Sequence, residues 1–103
     1  MAAIESVSTV RKTLTGLALD KRVRRLILFG SHAKGNAQEG SDLDFYVDSN
    51  YQLTGFAFFA LKGQLENAFQ KDIDLISDVD VIANSRVDQE IKRTGVTVYS
   101  AVS

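Results

Sequence analysis

Hydrophobic positions along this 103-residue chain switch between helical and strand spacing. Ile4, Val7, Val10, Leu14 and Leu17 recur every three to four residues, which predicts an amphipathic helix over residues 4–19. Asp20 and Lys21 begin the turn out of it. Val23 to Phe29, apolar once past Arg24 and Arg25, reads as a buried strand. Gly30 to Gly35 reads as a turn with room for one helical turn, and Gly35 to Gly40 as a polar loop. Leu43, Phe45 and Val47 then alternate with Asp42, Asp44, Tyr46 and Asp48, a strand with one face in the core.

Leu53 to Phe69 is the longest helical stretch. Phe58, Leu61, Leu65 and Phe69 form its stripe, and Phe56, Phe59 and Ala60 widen it. Asp72 to Ile76 reads as a short strand with Ile73 and Leu75 on one side. Val81 to Thr94 reads as a helix stopped by Gly95, and Val96, Val98 and Tyr99 as a last strand. This order predicts an α/β (α+β) fold, a small mixed β-sheet with helices packed on it. No repeat or linker interrupts it, so residues 1–103 read as one domain.

Composition narrows the function more than the fold. The chain has no cysteine, which excludes disulfides, thiolate metal sites and cysteine nucleophiles and fits a cytoplasmic setting. Met1 to Ser8 lack the basic and apolar regions of a signal peptide. Phe56 to Leu61, the longest apolar run, is too short to cross a bilayer, so no membrane association is expected. A net charge of −1 provides no broad basic footprint, which argues against direct nucleic-acid binding. Lys21, Arg22, Arg24 and Arg25 read as a solvated helix–strand junction, or else as a contact for an acidic partner or RNA. The phenylalanines at 56, 58, 59 and 69 outnumber what one helix face can bury. Some of Phe56, Phe58 and Phe59 are therefore expected to meet a partner subunit, in a homo- or hetero-oligomer.

The candidate chemistry lies between residues 30 and 44. Alternate side chains on a strand share a face, so Asp42 and Asp44 point the same way while Leu43 enters the core. Their Cα atoms would stand about 6.5 to 7 Å apart. Carboxylates at that spacing can converge on one metal or bridge two, and magnesium with substrate phosphates suits such a site. Asp74, between Ile73 and Leu75, would join the pair if its strand is the neighbour, as general base or as a further metal ligand. Asp72 reads as solvent-facing and Asp48 as a strand-end turn residue. Gly30 allows a tight turn, whose N–H groups with the Ser31 hydroxyl can hold phosphate oxygens, and Lys34 can add a positive charge. The glycine and lysine spacing does not match a Walker loop. His32, the single histidine, cannot build a zinc site without cysteines and reads as an exposed loop residue.

Gly30-Ser31 followed at ten residues by Asp42-x-Asp44, set between two strands, resembles the signature of the DNA polymerase β-type nucleotidyltransferase superfamily. The fuller string Gly30-Ser31-His32-Ala33-Lys34-Gly35 with Ser41-Asp42-Leu43-Asp44 is similar to its minimal nucleotidyltransferase branch, which often carries arginine at the position of His32. The resemblance implies ATP as substrate, with two magnesium ions as cofactor. It implies that Gly30 and Ser31 hold the triphosphate, that Asp42 and Asp44 hold the metals, and that Asp74 completes the triad. It further implies an antitoxin that transfers AMP to a tyrosine of a HEPN-domain ribonuclease toxin. A rival reading is a non-catalytic binding module that neutralises a partner by steric contact.

Overall fold

Capping side chains and left-handed residues set where the elements begin and end. A computed structural model of the protein describes residues 6–35 and 42–101. Ser6 caps α1 (Val7–Thr15), its hydroxyl accepting the Thr9 N–H at 3.1 Å. Gly16 and Leu17 donate back to Thr13 and Leu14, so the helix stops short of the expected residue 19. Its expected start at residue 4 lies outside the described residues. Asp20 then accepts the Arg22 backbone N–H at 2.9 Å and pairs with its guanidinium at 2.7 Å, turning the chain into β1 (Arg25–Phe29).

The single turn α2 (Ser31–Lys34) follows between Gly30 and Gly35. The rest of the polar loop, and Ser41, lie outside the described residues. β2 (Leu43–Asp48), α3 (Gly55–Phe69) and β3 (Ile73–Ser77) come next, then α4 (Arg86–Thr94) and β4 (Val96–Ser100). The sequence pattern placed the start of α4 at Val81. Asn84 sits instead in the left-handed region at φ 64°, and Ser85 caps the helix by accepting the Asp88 N–H at 3.2 Å.

The strands form one mixed sheet in the order β3-β2-β1-β4. β1 is antiparallel to β2 and β4, and β2 is parallel to β3 through the crossover helix α3. One face carries the core. Leu26, Leu28, Leu43, Phe45, Val47, Ile73, Leu75 and Val98 meet Val10 and Leu14 of α1 and Leu61, Leu65 and Phe69 of α3. Phe58 packs at the edge of this cluster. Phe56 and Phe59 do not widen the stripe as expected: they are 94% and 68% exposed. With the 61/65/69 row turned onto the sheet, residues 56, 59 and 60 fall on the outer side of the helix.

The opposite sheet face is only partly covered. α4 packs on it against β1, burying Ile91, and an added Cβ on Gly95 would lie 2.7 Å from Ile27 Cγ2. The β2–β3 half of that face carries Asp44, Tyr46, Asp74 and Ile76, all partly or fully exposed. Past β3, Asp78 is buried and accepts the Ser49 and Tyr51 N–H groups at 2.9 and 3.0 Å and the Ser49 hydroxyl at 3.1 Å. Burial alone would raise its pKa, but these donors outweigh it and hold the carboxyl below its usual range. Asp78 thereby fastens the loop from β2 to α3, in which Asn50 and Tyr51 both have positive φ.

Candidate active site

Two acids meet because β2 and β3 run in parallel register, Leu43 beside Ile73 and Asp44 beside Asp74. Leu43 and Ile73 point into the core, so Asp44 and Asp74 stand side by side on the open face. Asp42 lies one residue before β2 and is exposed. The Asp44 carboxyl is pushed up to about 6, first by burial and then by the charges of Asp74 and Asp42. The hydrogen bond to Asp74 and the charge of Glu90 add to the rise.

Gly30 makes room for that carboxyl. It follows β1 directly, where Phe29 pairs with Asp44, and its φ of 76° and ψ of −151° belong to a region that glycine alone adopts readily. A Cβ here would collide with Asp44 Oδ2 and lie 3.2 Å from its Cγ. The Gly30 N–H donates to the Thr94 hydroxyl at 3.3 Å, and that hydroxyl donates to the Glu90 carbonyl at 2.8 Å. The end of α4 therefore engages one of the amides of the bend. Ser31 opens α2 and is partly exposed. The side chain of Lys34 lies outside the described part of the structure.

His32 departs from expectation. It is 3% exposed, and its Nδ1 lies 3.1 Å from the Asp42 carbonyl oxygen. A carbonyl only accepts, so Nδ1 is the donor. The one helical turn of α2 carries the ring back towards the start of β2 instead of outward to solvent. Asp72 faces solvent as expected. Asp48 ends β2, where it pairs with Arg25 at 2.8 Å and accepts the Asn50 N–H at 3.3 Å, a strand-end turn residue as read. Glu90 was not singled out from the sequence, where its one signal is a place next to Ile91, the buried residue of α4.

These donors are carboxylate oxygens on a face where their charges repel, which fits a hard divalent cation and the phosphates it carries. As the side chains stand, no three acidic or histidine groups among the described residues are gathered around a single ion position. The carboxylates that strand pairing holds together against their repulsion are those a cation would neutralise.

Paired strand carboxylates under a glycine bend, on the open side of a small mixed sheet, define an enzyme of phosphate-ester chemistry. The comparisons with known proteins make this specific. The chain belongs to the family "Polymerase beta, Nucleotidyltransferase", which it matches over residues 12–102. A relative from Methanocaldococcus jannaschii, "Putative protein adenylyltransferase MJ1215", is 34% identical over 68 residues, covering 66% of this chain and 79% of that protein. A solved toxin–antitoxin structure with AMP-PNP shares the fold at TM-score 0.72 and 21% identity, over 95% of this chain and 76% of the other. So does a tri-AMPylated Shewanella oneidensis HEPN toxin in complex with MNT antitoxin, at TM-score 0.67 and 19% identity, over 91% and 72%. Among the described residues no helix is long and apolar enough to cross a membrane.

Proposed function

We propose that this protein is a magnesium-dependent adenylyltransferase that moves AMP from ATP to a hydroxyl of a partner protein, a tyrosine of a HEPN ribonuclease toxin, and so serves as that toxin's antitoxin in the cytoplasm. The observation that carries the reading is the in-register pair Asp44 and Asp74 beside Asp42, under a glycine whose missing side chain leaves space for Asp44. The name of the Methanocaldococcus relative supports a protein acceptor, and the Shewanella complex supports a HEPN partner.

Asp42 and Asp44 would hold two magnesium ions, with Asp74 completing the set. When bound, the metal supplies charge stabilisation for the triphosphate and the departing pyrophosphate. The bend at Gly30 and Ser31 would face the triphosphate, and Lys34 would add a positive charge to it. Asp74 accepts the proton of the acceptor hydroxyl at a carboxylate oxygen. The hydroxyl oxygen bonds to the α-phosphorus, and the bond from that phosphorus to pyrophosphate breaks.

Incubation of the partner toxin with α-labelled ATP and magnesium tests the proposal. Wild-type protein is expected to label the toxin, and Asp42→Asn or Asp44→Asn to cut the rate by at least about 100-fold while remaining folded. Label at the wild-type rate in either variant would overturn it. The exposed Phe56 and Phe59 favour a partner contact under either reading. If both variants still neutralise the toxin fully, the non-catalytic module is the better account.

A further inference from the structure

We infer that His32 is a positioning residue for the acidic pair, acting through the main chain of Asp42; this rests on the nucleotidyltransferase reading above. Asp42 stands outside the ladder, one residue ahead of β2, so the β2 pairing does not fix its orientation. The ring of His32 supplies a fixed point there. It is almost wholly buried, and Nδ1–H donates to the Asp42 carbonyl at 3.1 Å. His32 also sits one residue after Ser31 on the same helical turn. One partly buried bond thus ties the segment that would face the triphosphate to the backbone of the first carboxylate. A ring held by burial on one side and bonded on the other restrains the Asp42 main chain at its carbonyl, and with it the direction in which the carboxylate leaves the backbone. Partners that hold a ligand in place in this manner typically affect metal affinity 10- to 100-fold when lost.

The two ring nitrogens provide a discriminating test. Asparagine places its amide nitrogen near the position of Nδ1, whereas glutamine places it near that of Nε2. Manganese titration of the intact protein, followed by electron paramagnetic resonance, is expected to show affinity within about 3-fold of wild type for His32→Asn and about 10-fold weaker for His32→Gln. The ratio of the two is the readout, and a role confined to packing would lower the melting temperature of both without separating their affinities. In wild-type protein, nitrogen-15 NMR of the metal-free form should show Nδ1 protonated. This second measurement needs no variant to fold. Equal manganese affinity of the glutamine variant and wild type, or a ring bearing its proton only on Nε2, would overturn the inference. Failure of wild-type protein to bind manganese would instead overturn the catalytic reading, and this inference with it.

Discussion

Alanine at position 30 would push a Cβ into the Asp44 carboxylate and require a backbone conformation that L side chains rarely adopt. Gly30→Ala is expected to lower stability by about 2–3 kcal/mol, read by urea unfolding. Asp44 itself has a pH signature. Its carboxyl binds a proton more tightly folded, with pKa about 6, than unfolded, near the ordinary 3.9. The stability this contributes is complete below about pH 4 and is lost as pH rises through about 6. Metal-free Asp44→Asn should therefore be more stable than wild type at pH 7.5, by of order 1 kcal/mol after discounting for solvent screening, and the difference should shrink towards pH 4. A wild-type protein more stable than the variant at pH 7.5 without metal would contradict this. At this scale the sequence was informative where periodicity governs: the parity of Leu43 and Ile73 put Asp44 and Asp74 on one face. It was silent where tertiary packing governs. Nothing local says that His32 turns inward, or that Glu90 comes within electrostatic reach of Asp44.

Helix α3 contains a glycine that its own packing does not require. A Cβ on Gly63 would meet nothing within 4 Å, and the residue is exposed in the helix interior. Gly63→Ala is expected to stabilise the fold by about 0.5–1 kcal/mol, measured by chemical denaturation. Helix α4 has the opposite character, since its last residue holds the site. Thr94→Val keeps the shape but removes the acceptor of the Gly30 N–H, and should cost about 1 kcal/mol and slow nucleotidyl transfer. Element types followed from periodicity throughout. Boundaries shifted where a left-handed residue intervened, as at Asn84, because side-chain pattern does not register a backbone break.

At the scale of the whole molecule, two large aromatic rings remain in water on the side of α3 away from the core. Phe56→Ser combined with Phe59→Ser is expected to lower the melting temperature by no more than a few degrees, since neither ring is buried in the core and Phe59 meets only the edge of Phe58, and to weaken capture of the partner toxin at least about 10-fold. A large fall in melting temperature would show that the rings support the fold. The mixed α/β class was legible from the order of elements, but strand order was not. Sequential neighbours such as β1 and β2 commonly pair, whereas the parallel partner of β2 is chosen by how α3 docks.

That parallel seam has a kinetic consequence. The β1–β2 ladder is antiparallel and comparatively local, while β3 must travel back across an entire helix before it can zip onto β2, so its closure comes at a higher entropic cost. Like charges confront each other along the same seam. Transient detachment of β3, an outer strand with one neighbour, would separate Asp74 from Asp44 while leaving β1 and β2 intact. Amide exchange should accordingly be faster in residues 73–77 than in 26–28, and divalent ions should slow it in the former most.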